Sequence, residues 1–168
     1  ARLSGRGSAV WKWHSGNPII QRTTAVGIRG LLDSHGIHVD HKNINTFIQY
    51  NYMEDCEGGF VEILGGNETA VYRFNISVND GWRDNPNWRN SNHTIWLNDK
   101  IGGDEGYASN NSYIYNNTIV INRTNSPYAT AIDLKANNTR VFNNIFYSIN
   151  GSSIGTKQVN VRDDNISM

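Results

Sequence analysis

The feature that most constrains this chain is a unit that occurs twice between Gly36 and Gly81. Each copy contains a short alternating strand, a polar turn, a second alternating strand that ends in an aromatic residue followed by asparagine, and another turn. The two aromatic–asparagine pairs are Tyr50-Asn51 and Phe74-Asn75. The interval from one pair to the next falls within the range of roughly 20–50 residues that is typical of solenoid repeats.

The same element returns further along the chain. Asn117 and Asn144 follow similar alternating segments and correspond to the asparagines of the first two copies. Degenerate copies are found at 19–23 and 161–164. The longer interval before the third complete copy indicates an inserted loop, which we place at 79–111. Repetition of this kind predicts stacked coils rather than a single compact sheet.

The composition agrees with short strands and excludes several classes of protein. Asparagine, aromatic and β-branched residues are plentiful, which favours strands joined by polar turns over helices. Lys plus Arg and Asp plus Glu both number 15, so no general attraction to nucleic acid is expected. No apolar run is long enough to cross a membrane. The lone Cys56 excludes an intramolecular disulfide.

Short strands repeating at this period without helices between them are neither hairpins nor βαβ units. One coil cannot bury its own apolar face, so coils must stack. The chain thus resembles the right-handed parallel β-helix proteins of the pectate-lyase-like superfamily, on the segments GIHVDHKNINTFIQYNYMEDCEGGF, SYIYNNTIVIN and TRVFNNIFYSING. The resemblance implies an all-β, right-handed parallel β-helix of about five coils. We expect one domain over 1–168.

The resemblance also implies how the recurring asparagines are used. In that superfamily, asparagines stack in an internal ladder at one turn, and their side-chain amides bond coil to coil. The residues that match this position are Asn51, Asn75, Asn117 and Asn144. We therefore expect them to be structural.

The two ends of a solenoid need caps because they would otherwise leave the core open. Residues 1–18, which include Trp11 and Trp13, are a candidate N-terminal cap. No good cap follows Val161, which indicates either a longer natural protein or end-to-end association with another chain.

Alternation decides which side chains leave the core. If the apolar residues of the first strand in each coil point inward, their neighbours form a row on the outer face: His38, Glu62, Trp96 and Asp133. A second row beside it contains Asp40, Leu64, Asn98 and Lys135. Acid, base, aromatic and amide groups on one face predict a saccharide-binding cleft.

The inserted loop places indole rings next to guanidinium groups, at Trp82-Arg83 and again at Trp88-Arg89. Indoles stack on the apolar faces of sugars, and arginine binds carboxylate or sulfate with two hydrogen bonds. Long loops on rigid scaffolds also concentrate function. Alternatively, the tryptophans fold back and cover the edge of a coil. Both interpretations stay open for Trp82 and Arg83.

Two reactions fit these groups. In hydrolysis, one carboxyl group protonates the leaving oxygen while another activates water. Glu62 would work with Asp133 or, at a better separation, with Asp40. In β-elimination on a uronide, His38 or Lys135 would remove the proton while a cation neutralises the sugar carboxylate. Arg83 is the candidate for that cation.

Metal sites have weaker support. His35, His38 and His41 lie close together, but their spacing matches no ligand motif, so we predict no metal there. The sequence requires no cofactor, and calcium is the candidate ion because 99–105 combines acidic residues with turn residues. The loop lacks EF-hand spacing, which favours a solvated turn.

These patterns predict an extracellular or periplasmic protein that binds and cleaves an acidic polysaccharide, as a lyase or a glycoside hydrolase. The alternative is a non-catalytic extracellular solenoid with a structural or glycan-binding role. Nine Asn-x-Ser/Thr triplets would support that alternative if several carried glycans: Asn67, Asn75, Asn92, Asn110, Asn116, Asn122, Asn137, Asn150 and Asn165.

Overall fold

The chain forms a parallel β-solenoid of about four turns, as seen in a computed structural model. The structure describes residues 7–30, 33–83, 93–101, 104, 106–123, 130–149 and 159–161. Its strands make three parallel sheets, and each turn of the solenoid contributes in sequence to all three. The all-β parallel solenoid expected from the repeats is confirmed.

The three sheets, here called A, B and C, consist of strands that recur in every third place along the chain. Sheet A contains β1 (Val10–Lys12), β4 (His35–Val39), β7 (Gly59–Ile63), β10 (His93–Leu97), β13 (Thr130–Leu134) and β16 (Val159–Val161). Sheet B contains β2 (Ile19–Gln21), β5 (Ile44–Gln49), β8 (Glu68–Arg73), β11 (Tyr113–Tyr115) and β14 (Arg140–Phe142). Sheet C contains β3 (Thr24–Val26), β6 (Tyr52–Glu54), β9 (Ile76–Val78), β12 (Thr118–Ile121) and β15 (Ile145–Ser148).

The regions predicted as an N-terminal cap and as an inserted loop each contain a strand of sheet A. The N-terminal segment supplies β1, which pairs in parallel with β4 and so begins sheet A. The predicted insertion at 79–111 contains β10, which pairs with β7 on one side and β13 on the other. β1 and β16 are the outer strands of sheet A. End-to-end association through such edges stays a prediction.

The core lies between the three sheets and is filled mainly by β-branched and other aliphatic side chains. Ile37, Val61, Ile95 and Ile132 occupy equivalent positions on successive strands of sheet A, and all four are buried. This arrangement buries apolar surface between neighbouring coils, which a single coil cannot do. Within the described ranges there is no helix, and hence none that is long and apolar enough to cross a membrane.

The predicted column of asparagines forms at the turn between sheets B and C. We call Asn51, Asn75, Asn117 and Asn144 the amide ladder. The Asn51 amide donates to Asn75 Oδ1 at 3.0 Å, Asn75 donates to Asn117 at 2.9 Å, and Asn117 donates to Asn144 at 3.0 Å. Each side-chain amide also donates to a backbone carbonyl of a preceding coil. The predicted amide ladder is confirmed.

Comparable hydrogen bonds, not predicted from the sequence, occur at the other two turns. At one, the backbone N–H and side-chain amide of Asn43 both donate to Asn67 Oδ1. At the other, the Cys56 N–H donates to Asp80 Oδ1 at 2.8 Å. Asp80 is fully enclosed, and this burial raises its pKa to about 7 even though hydrogen bonds from Ser77 and Cys56 favour the charged form.

Candidate functional site

The register of sheet A brings the predicted outer row together. His38 is paired with Glu62, Glu62 with Trp96, and Trp96 with Asp133. All four residues alternate with the aliphatic side chains of the core and therefore point away from it. Trp11 occupies the same position on β1 and extends the row by one coil.

Two histidines join this row because strict alternation fails at the start of the strands. A side chain at Gly36 would lie 2.6 Å from Met53 Sδ, so this position faces the core, as does its neighbour Ile37. With two successive residues facing inward, His35 lies on the same side as His38. On β10, His93 takes the position equivalent to His35.

We call the resulting column the outer strip: His35, His38, Glu62, His93, Trp96 and Asp133. It is outward-facing but not open to solvent. His35 and His38 are 1% and 2% exposed, and Glu62 and Asp133 are 5% and 4% exposed. The sequence therefore predicted the direction of His38, Glu62 and Asp133 but not their burial.

Glu62 lies between the two histidines of β4. Its Oε2 is 3.1 Å from His35 Nδ1 and 3.2 Å from His38 Nδ1. The other side of the His38 ring is covered by Trp11, whose indole stacks at 4.1 Å between ring centroids. Among the described His, Cys, Asp and Glu side chains, those of His35, His38 and Glu62 have ligand atoms close enough together to hold one metal ion.

The two imidazoles of this group have opposite tendencies to bind a proton. Burial, together with the positive charges of His38, Arg83 and His93, lowers the pKa of His35 well below its ordinary value. Burial also opposes the charge of His38, but the nearby Glu62, Asp33 and Asp40 carboxylates outweigh it and raise the pKa of His38. Two imidazoles whose pKa values are shifted in opposite directions therefore contact the same carboxylate.

A second imidazole–carboxylate pair lies further along the outer strip. His93 Nε2 is 3.0 Å from Asp133 Oδ2, and both side chains are largely buried. The His93 ring is 5.9 Å from the Trp96 ring, measured between centroids. A carboxylate at this distance orients an imidazole and stabilises its protonated form, as in acid–base sites.

Three residues of the predicted second row, Asp40, Asn98 and Lys135, form hydrogen bonds or ion pairs with residues outside the outer strip. Asp40 contacts His41, at 2.6 Å, and accepts a hydrogen bond from the Trp11 indole. Lys135 lies 2.9 Å from Asp99, and this ion pair contributes to the lowered pKa of Asp99 against the effect of burial. Asn98 is 1% exposed, and its side-chain oxygen accepts a hydrogen bond from the Lys100 N–H.

The predicted loop residues Trp82 and Arg83 are packed against the solenoid. The indole of Trp82 is contacted by the guanidinium groups of Arg29, at 4.8 Å from the ring centroid, and Arg123, at 4.5 Å. Arg83 is 2% exposed and donates to the Asp33 carbonyl oxygen at 2.7 Å. A role for Trp82 and Arg83 in sugar binding stays a prediction. Trp88 and Arg89 lie outside the described residues.

The candidate calcium loop is described in part. Asp99 is paired with Lys135 and accepts a hydrogen bond from Gly106, while Ile101 and Asp104 form an antiparallel bridge. Gly102, Gly103 and Glu105 lie outside the described residues. A calcium site at this loop stays a prediction.

Sequence reasoning missed His35 and His93 as members of the outer strip. The segments HGIH and HTIW begin equivalent strands with a histidine three residues before an outward-facing ring. That shared spacing is the available signal, because period-two alternation alone would place both histidines on the face opposite to His38 and Trp96.

No protein-family model, curated protein or solved structure matches this chain significantly.

Proposed function

We propose that this is an extracellular or periplasmic protein of the right-handed pectate-lyase-like type that cleaves an acidic polysaccharide at its outer strip. The observation that carries the proposal is the pair of imidazole–carboxylate groups on one outer face, one centred on Glu62 and the other on Asp133. Both eliminative and hydrolytic cleavage of a glycosidic bond need acid and base groups on the same strip.

His93 is the proposed general base, oriented by Asp133. Its Nε2 lies 3.0 Å from the carboxylate, so the ring is fixed and its protonated form is stabilised after it takes up the substrate proton. Glu62 is the proposed source of the second proton transfer, to the leaving oxygen. Lys135 and Arg83 are the proposed cationic groups for an acidic sugar.

Substrate must reach side chains that are now enclosed. Trp11 stacks on His38 and is itself 44% exposed, and its indole is held by one hydrogen bond to Asp40. Because this ring lies outside the core, it can swing away at little cost to the core. We propose that substrate reaches the His38 end of the outer strip by displacing Trp11.

The experiment is a polysaccharide panel that records reducing ends together with absorbance near ~235 nm from unsaturated uronides. Product with this absorbance indicates a lyase, and product without it indicates a hydrolase. Asp133→Asn should lower kcat by roughly 100-fold or more, because His93 would lose the carboxylate that orients it, and proton transfer by a positioned side chain contributes on that scale. The matched control is Asp104→Asn, which makes the same chemical change at an exposed carboxylate.

Unchanged turnover in Asp133→Asn would contradict the assigned base. A folded protein without product on pectate, alginate, ulvan and carrageenan would contradict the enzyme proposal itself.

A second function, glycan binding without catalysis, is favoured by a different surface. Four aromatic rings contact one another from coil to coil along the turn that carries the amide ladder, two pairs by stacking and the middle pair edge to face: Tyr50, Phe74, Tyr115 and Phe142. Three of them, Tyr50, Phe74 and Phe142, are more than a third exposed. Exposed aromatic rings suit the apolar faces of sugars. Binding without turnover that Tyr50→Ala weakens, and that Asp133→Asn leaves unchanged, would select this function.

A further inference from the structure

We propose that His35, His38 and Glu62 bind one divalent transition-metal ion, with Zn²⁺ as the expected ion. We call these three residues the metal triad. The inference goes beyond the proposed cleavage reaction and does not depend on it. Spacing along the sequence gave no reason to expect this site, because Glu62 comes from the following coil.

The distances within the metal triad fit a small ion. Glu62 Oε2 is 3.1 Å and 3.2 Å from the two Nδ1 atoms, and one ligand atom from each residue lies within 4.8 Å of the others. Ligand atoms around a tetrahedral ion with bonds of 2.0–2.1 Å stand roughly 3.3 Å apart. Two edges of the tetrahedron are therefore present already, and the third joins ligand atoms that lie within 4.8 Å of each other.

The hydrogen bonding of the metal triad is incomplete without an ion. Both Nδ1 atoms share the single Glu62 Oε2, and neither Nε2 atom has a hydrogen-bond partner among the described residues. All three side chains are more than nine-tenths buried. Buried polar atoms are nearly always satisfied, so an incompletely satisfied group requires an explanation, and a bound ion supplies one.

The donor set selects the class of ion. Two imidazoles and one carboxylate suit zinc and its first-row neighbours, whereas calcium and magnesium prefer oxygen ligands. Three protein ligands leave one tetrahedral position for water or a substrate oxygen. The site is also preorganised, since His35 and His38 are on one strand and Glu62 is paired with His38 on the next.

Metal binding would also separate the tasks of the two imidazole–carboxylate groups. With the ion bound, His35, His38 and Glu62 would serve as ligands, so the proton donation proposed above for Glu62 applies to the metal-free protein, while His93 and Asp133 would keep their acid–base role in both states. Loss of metal binding and loss of polysaccharide cleavage are measured separately, so failure of one proposal is distinguishable from failure of the other.

The test is calorimetric titration of chelator-treated protein with Zn²⁺, together with Co²⁺ as a spectroscopic probe. We expect one equivalent per chain, a Tm that rises with Zn²⁺ concentration, and no rise with Ca²⁺. Glu62→Gln and His38→Gln should each weaken Zn²⁺ affinity by roughly 100-fold or more.

The matched control is His41→Gln, because His41 lies three residues beyond His38 but pairs with Asp40 and Trp13 instead. It should leave Zn²⁺ affinity unchanged. X-ray absorption on the unmutated protein provides a test that needs no variant, and two imidazoles and oxygen ligands are expected around zinc. A folded protein that binds no Zn²⁺, equal affinity in Glu62→Gln, or loss of binding in His41→Gln would each overturn the proposal.

Discussion

The amide ladder and the outer strip are both buried columns of polar side chains that cross the same coils, yet they differ in how their polar atoms are used. In the amide ladder, Asn75 accepts from the backbone and side chain of Asn51 and donates to Asn117 and the Ile48 carbonyl. In the outer strip, the ring nitrogens of His35, His38 and Trp96 have no hydrogen-bond partner among the described residues.

This difference distinguishes buried polar groups whose hydrogen bonds stabilise the fold from buried polar groups that lack such bonds. A buried and fully hydrogen-bonded network rigidifies a core, whereas a buried group without a partner costs free energy. The hydrogen bonds of the amide ladder therefore explain its asparagines as structural residues. In the outer strip, the proposed metal ion would supply a partner for the imidazoles of His35 and His38.

The largest effect is expected from breaking the amide ladder. Asn75→Ala removes a side chain that takes part in four hydrogen bonds and leaves buried partners in two neighbouring coils without a bond. We expect the free energy of unfolding to fall by at least about 3 kcal/mol, measured by denaturant titration. Gln21→Ala, which removes an exposed amide–amide bond to Gln49, is the control and should cost less than about 0.5 kcal/mol. Equal losses would contradict the structural role.

The second prediction concerns the one carboxylate that takes an asparagine's place at a turn, Asp80. Its pKa is about 7 in the folded chain against 3.8 when exposed, so the folded state holds the extra proton between these values. Stability should therefore decrease as pH rises from 3.8 to about 7, by roughly 1.4 kcal/mol per pH unit. Asp80→Asn keeps a similar shape and should flatten that dependence in denaturant titrations at several pH values. A slope of the same size in the variant would assign it to other groups.

A smaller effect is expected when a charge is removed from the outer strip. In metal-free protein, Glu62→Gln should change the free energy of unfolding by less than about 1.5 kcal/mol. The substitution relieves the desolvation cost of a buried charge, and its histidine neighbours can become neutral. The same variant should lose the Tm increase with Zn²⁺. A loss of stability as large as that of Asn75→Ala would mean that the outer strip is structural too.

The smallest effect is expected beside the amide ladder, at Phe74. Its φ is 56°, and the equivalent residues Asn116 and Asn143 have φ values of 55° and 54°. Phe74→Asn loses a ring stack worth about 0.5–1.5 kcal/mol but relieves a left-handed conformation of similar cost. The net change should stay within about 1 kcal/mol. Phe74→Ala, which loses the stack without asparagine's tolerance of this conformation, should be less stable than Phe74→Asn.

Most of the repeat architecture could be predicted because it depends on local pattern. The interval between Asn51 and Asn75 sets the length of a coil, and residues one coil apart come into register, so the amide ladder and the pairing of His38 with Glu62 both follow. The alternation of apolar and polar residues also predicts which side chains leave the core. These are consequences of strand period and coil length, and both can be counted in the sequence.

What only the tertiary structure decided is which outward-facing groups meet. The inward-facing Gly36 breaks the alternation and brings His35 beside Glu62, and Trp82 is contacted by two arginines from distant parts of the chain. Burial of the outer strip likewise depends on neighbours outside its own strands. The physical reason is that strand period sets the direction of a side chain, whereas its contacts and its dielectric surroundings depend on how separate coils pack together.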